Sequence, residues 1–145
     1  MTIIDSLPAS PVEQRTDDAL VVLPTPAAVT APQGGRAERG ITRERVGSRG
    51  LCLSRLVIPP LTTEQAHLHA DHETAIYVVS GEIEVRHGER LAEVTVAGPG
   101  DFVYIPPSVP HQPVNRSRTQ EVVVLAARTD PHDVESLVLL PGAPD

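Results

Sequence analysis

From Gly50 onward, apolar residues come in short runs closed off by Gly, Pro and polar turns, and no stretch keeps the apolar spacing of an amphipathic helix. Ile83 and Val85 alternate with Glu82, Glu84 and Arg86, the period-two pattern of a strand with one buried and one wet face. The pattern predicts strands over residues 51–58, 65–68, 75–79, 82–87, 92–96, 102–105, 112–115, 122–127 and 135–139. Ser80-Gly81 and His87-Gly88-Glu89-Arg90 are hairpin signals, so neighbouring strands should pair antiparallel. Many short strands joined this way predict an all-β sandwich or barrel.

The first 38 residues follow a different pattern. Pro8, Pro11, Pro24, Pro26 and Pro32 lie among Ala, Thr, Ser and Gly, so little of this stretch can join a ladder of backbone hydrogen bonds. It is expected to be a flexible, largely irregular N-terminal segment (1–38) ahead of the barrel (39–145). The short Leu20-Val21-Val22-Leu23 run could add an edge strand to the sheet or to a partner subunit. The Arg-rich stretch from Arg36 to Arg49 reads either as a charged linker or as a clamp on the acidic body of a partner.

Composition narrows the function. At 145 residues the chain fits one domain. Its formal charge of -7 is unevenly spread, with five Arg against thirteen acids after residue 60. An acidic body argues against nucleic-acid binding, which depends on neutralising phosphates. All twelve basic residues are Arg, which closes mechanisms that need a lysine Schiff base or a P-loop lysine. Cys52, the one cysteine, can form no internal disulfide and reads as a buried core thiol within Leu51-Cys52-Leu53. The N-terminus has no basic leader, and no apolar run approaches the roughly 18 residues needed to cross a membrane, so a cytoplasmic protein is expected.

The chemistry concentrates in His67-Leu68-His69-Ala70-Asp71-His72-Glu73. Two His at i and i+2 on a strand project from one face and can chelate one ion, and Glu73 could supply an oxygen ligand. In Gly100-Asp101-Phe102-Val103-Tyr104-Ile105-Pro106-Pro107-Ser108-Val109-Pro110-His111-Gln112-Pro113-Val114-Asn115, a turn, an apolar strand and a Pro-rich bend would deliver His111 from across a barrel. Imidazole and carboxylate suit one divalent transition metal, with Fe(II) or Mn(II) favoured and Ni(II), Cu(II) or Zn(II) possible.

At this point the sequence resembles the cupin superfamily, in particular the small single-domain RmlC-like cupins. His67, His69 and Glu73 match the family's first motif, with Leu61 in place of its leading Gly. Gly100, Pro106, His111 and Asn115 match the second, with Ser108 where Gly is usual. The resemblance, over roughly residues 50–128, implies a double-stranded β-helix, or jelly-roll barrel, and a metal held by His67, His69, Glu73 and His111. Seven residues rather than the family's six separate Glu73 from Gly81. Counting back from Gly81 therefore places Thr74 at the ligand position, whereas counting from the histidines selects Glu73, with a β-bulge absorbing the extra residue. A three-histidine site completed by His72 or water is the remaining arrangement. If no bulge intervenes, Tyr77 shares strand parity with Glu73 and could line the cavity, a core Tyr being the alternative; Glu73 and Tyr77 are the candidate catalytic residues.

Cupins span many functions. The ligand set is similar to that of cupin dioxygenases, so an oxygen-using enzyme acting on a small molecule is the leading expectation. A non-redox sugar or sugar-phosphate isomerase or epimerase and a non-catalytic ligand-binding cupin are the alternatives. Pairing of cupin barrels through their sheets implies a homodimer.

Overall fold

The structure is a computed structural model that describes residues 19–133 and 136–141. Residues 1–18 of the Pro-rich segment, and Glu135 at the start of the last expected strand, lie outside the described residues. Apart from one helical turn, α1 (Arg43–Val46), and a 3-10 turn at Glu89–Leu91, the ordered elements are strands. They are β1 (Val29–Thr30), β2 (Arg36–Ile41), β3 (Cys52–Ile58), β4 (Thr62–Thr63), β5 (His67–His69), β6 (Thr74–Ser80), β7 (Ile83–His87), β8 (Glu93–Ala97), β9 (Phe102–Ile105), β10 (His111–Asn115), β11 (Val122–Arg128) and β12 (Leu137–Leu139).

These strands build two antiparallel sheets. One runs β1-β2-β3-β11-β6-β9, and the other β12-β5-β10-β7-β8 with β4 also paired to β10. From β5 onward, apart from the β7-β8 hairpin, successive strands pass from one sheet to the other, as in the expected jelly roll. Between the sheets, Ile58, Val78, Val122 and Val124 from the first pack against Ile83, Val85 and Ala97 from the second. Branched side chains suit this pleated, half-buried surface. Burying each of the larger ones stabilises the fold by about 1.5–3 kcal/mol.

Ser80-Gly81 does not close the expected hairpin: β6 pairs with β11 and β9, β7 with β10 and β8, and the two residues carry the chain through a tight passage from one sheet to the other. Gly81 has φ 80°, and a Cβ there would lie 2.4 Å from the Glu121 carbonyl oxygen and 2.8 Å from Val122 Cα. Only glycine accepts both the conformation and the approach.

The Arg-rich stretch is not a linker, because it forms β2 and α1. Its arginines find acids within the chain: Arg36 pairs with Glu121 and Arg39 with Asp133, while Arg55 on β3 reaches Glu38. Thr42 caps α1 through its hydroxyl, and Gly47 closes it in the left-handed conformation. No strand forms over residues 20–23; Val21 and Leu23 instead border a groove with Ile41, Leu53 and Leu125 on the outside of the first sheet. Among the described residues, no helix is long and apolar enough to cross a membrane.

Candidate metal centre

The alternation of β5 turns His67 and His69 to the same buried side, with Leu68 between them facing the other way. The antiparallel ladder sets His111 of β10 directly opposite His67. Ring centroids lie 4.2 Å apart for His67–His111, 5.4 Å for His67–His69 and 5.9 Å for His69–His111. One nitrogen from each ring falls within 4.8 Å of the others.

The protonation of this trio suits a metal. His67 Nδ1 lies 2.8 Å from the Gln65 carbonyl and His111 Nδ1 lies 2.9 Å from the Val109 carbonyl. A carbonyl only accepts, so each Nδ1 carries the proton and each Nε2 keeps a free lone pair. His69 is buried with no hydrogen-bond partner on either ring nitrogen among the described residues. Such an orphaned ring costs free energy unless something occupies it. Burial holds all three rings neutral, pushing His67 down to about 4, His69 to about 2 and His111 to about 3. Neutral imidazole is the form that ligates, so the residues present fit a bound divalent metal.

The structure does not bring Glu73 into this group. Its side chain is exposed and accepts a 2.8 Å hydrogen bond from the Tyr104 hydroxyl, while its backbone N–H donates to Thr129 Oγ1. The inward position belongs to Thr74, which is 1% exposed with no partner for its hydroxyl. The cause is strand parity. The expected bulge exists, but the register shifts only where Val123 and Val124 face Ser80 and Val78. From Thr74 to Val78 the alternation is unbroken, so Thr74, Ile76 and Val78 turn inward and Glu73, Ala75 and Tyr77 outward. Tyr77 therefore lies on the outer face, its ring 4.9 Å from Phe102, away from the candidate catalytic position. His72 turns its Nδ1 to the Ala70 carbonyl and stays outside the trio.

The second motif works as a brace. Asn115, buried, donates to the carbonyls of Ile58, Pro59 and Gln120, tying three segments together. Ser108, at the usual glycine, has φ 62°. Its N–H donates to the His69 carbonyl and its hydroxyl accepts from Asp71 N–H, which fixes the turn after β5.

Four buried ionisable residues, Glu64, Arg128, Asp130 and Asp133, escaped the sequence reading. Arg128 ends β11 opposite Thr74 on β6 and Cys52 on β3, is 5% exposed, and pairs with Asp133, which also receives Arg39. Its charge acts on all three histidines, helping to hold them neutral. The available signal was a cation closing the apolar run Val122 to Ala127. Glu64 is buried with its carboxyl pushed up to about 8 by desolvation, partly opposed by Arg128. Cys52 is buried as expected; its thiol is pushed up to about 12 by burial and donates to Asp133 Oδ1.

A family model for the cupin domain matches residues 54–128, just over half of the chain. Among solved structures, peruvianin-I, a cysteine peptidase from Thevetia peruviana latex, superposes with a TM-score of 0.65 at 19% identity over 78% of this chain and 71% of its own. Oxalate decarboxylase from Bacillus subtilis gives 0.65 at 18% identity over 79% of this chain and 30% of its own. Oxalate oxidase, solved with the substrate analogue glycolate, gives 0.63 at 20% identity over 76% of this chain and 57% of its own. The chain thus spans less than a third of the decarboxylase and little more than half of the oxidase, and at these identities the likeness carries the fold. A search by sequence against proteins of curated function finds no match.

Proposed function

This chain belongs to the cupin family, and from that premise we propose that it is a mononuclear metalloenzyme of dioxygenase type acting on a small molecule, with His67, His69 and His111 as its metal ligands. The observation that carries the reading is the convergence of three buried, neutral imidazoles, one of them with both nitrogens unpartnered. Three ligands on a six-coordinate ion leave three positions, enough for a chelating substrate and dioxygen together. A bound Fe(II) or Mn(II) would supply Lewis acidity and oxygen reactivity at those positions. The chain itself holds the ligand tautomers through the Gln65 and Val109 carbonyls and keeps all three rings buried.

The test is metal analysis of protein purified without air, followed by oxygen-uptake assays with diketones, catechols and thiols. One iron per chain with substrate-dependent uptake is expected. Zinc or manganese with no uptake from any of these substrates overturns the oxygen-using reading.

We also assign a homodimer. Its support is that Tyr77, Phe102 and Tyr104, all the aromatic residues of the chain, share the outer face of β6 and β9, with Phe102 82% exposed. Buried aromatic anchors dominate interfaces. Light scattering should give twice the chain mass, and Phe102→Glu should give the chain mass; a monomeric parent protein overturns the assignment.

A further inference from the structure

The metal ligands leave a buried guanidinium unaccounted for. Arg128 is 5% exposed, and while one of its terminal nitrogens is committed to Asp133, its Nε has no partner among the described residues. Directly across the ladder on β6, Thr74 buries a hydroxyl that is likewise unpartnered, and Ser54 on β3 buries another on the same inner face. Buried polar atoms in folded proteins are nearly always satisfied, so a cluster of orphans beside an orphaned His69 marks a place shaped for something polar.

The charges say which kind. Asp133 is shared between Arg128 and Arg39, so one carboxylate faces two guanidinium groups. A divalent ion on three neutral imidazoles would keep its full charge, because Glu73 lies on the opposite face of its strand. Glu64 is the other buried acid within electrostatic reach of Arg128, but desolvation pushes its carboxyl up to about 8, so at neutral pH it is mostly protonated and the inner end of the barrel stays electropositive.

We propose that Arg128, with Thr74 beside it, forms an oxyanion-binding site next to the three histidines, so that the molecule handled here carries a carboxylate. The carboxylate accepts from Arg128 Nε and the Thr74 hydroxyl while the rest of the molecule faces the metal positions. Arginine suits this role because its fork can serve Asp133 and a ligand at once. This inference rests on the three-histidine reading above and narrows its substrate class.

The test uses the full chain loaded with cobalt(II), after one-to-one uptake has been verified by metal analysis. Acetate and the neutral ligand imidazole are titrated separately by calorimetry and by the visible cobalt spectrum. In Arg128→Gln, acetate affinity should fall at least tenfold while imidazole affinity stays within about threefold. Because Arg128 also holds Asp133, Arg128→Lys keeps that ion pair and loses Nε; it should show the same selective loss. Thr74→Val should weaken acetate about threefold. Equal weakening of both ligands, or acetate binding unchanged in Arg128→Lys, overturns the inference and leaves the metal site standing. Failure of the parent protein to take up cobalt overturns both.

Discussion

The two faces of β6 differ in both burial and chemistry. Thr74, Ile76 and Val78 look into the barrel, toward the histidines at one end and the apolar core at the other. Glu73, Ala75, Tyr77 and Val79 look out onto a surface shared with Phe102 and Tyr104. Chemically plausible residues lie on both, and Glu73 with Tyr77 is the more conventional catalytic pair. Position relative to the pleat, one residue either way, decides which of them can meet a metal.

The contrast can be broken most violently by moving a charge across the strand. Val78→Asp buries an unpaired carboxyl at a site with no exposed surface and should cost more than about 4 kcal/mol in urea unfolding, whereas Val79→Asp, at a position 46% exposed, should cost under about 1 kcal/mol. Next in size, His111→Ala should lower metal affinity at least a hundredfold, about 2.7 kcal/mol, measured by competition with a chromophoric chelator.

Smaller per ring is the effect of pH on the metal-free protein. The three histidines titrate near 6.5 when unfolded and at about 4 or below when folded, so between these values the unfolded chain binds more protons and stability falls as pH falls. From pH 7 to pH 5 the loss should be on the order of 1–2 kcal/mol per histidine. Urea midpoints should show it, and replacing all three with Ala should flatten the slope. The smallest effect belongs to the outer face: Glu73→Ala should change metal affinity less than about twofold, since it removes only the exposed contact to Tyr104. A tenfold loss there would return Glu73 to the ligand set.

Much of this was readable in advance, for identifiable reasons. Strands β3 and β5 to β12 carry enough buried apolar positions, or enough turn punctuation, to be seen in the pattern. Strand β2 was hidden because only Ala37 of its six residues is fully buried, leaving Arg and Glu to dominate its appearance. The histidines were legible because their spacing within β5 and their place in two motifs agree. Glu73 misled because counting forward from His69 crosses a turn where Asp71 has φ 63° and strand parity is lost. Counting back from Gly81 runs along hydrogen-bonded strand and arrives at Thr74. Arg128 was invisible for another reason: nothing local says that the cation ending an apolar run points inward until Asp133 arrives from downstream to receive it.

The carbonyls of Gln65 and Val109 have one more consequence. Each lies two residues before the histidine it holds, so proton placement is settled by the backbone just ahead of each strand, with no metal needed. Rings already neutral at pH 7 have no protons to surrender on coordination. Metal uptake should therefore be thermally silent toward the buffer, with the same heat in phosphate as in Tris despite their very different ionisation enthalpies.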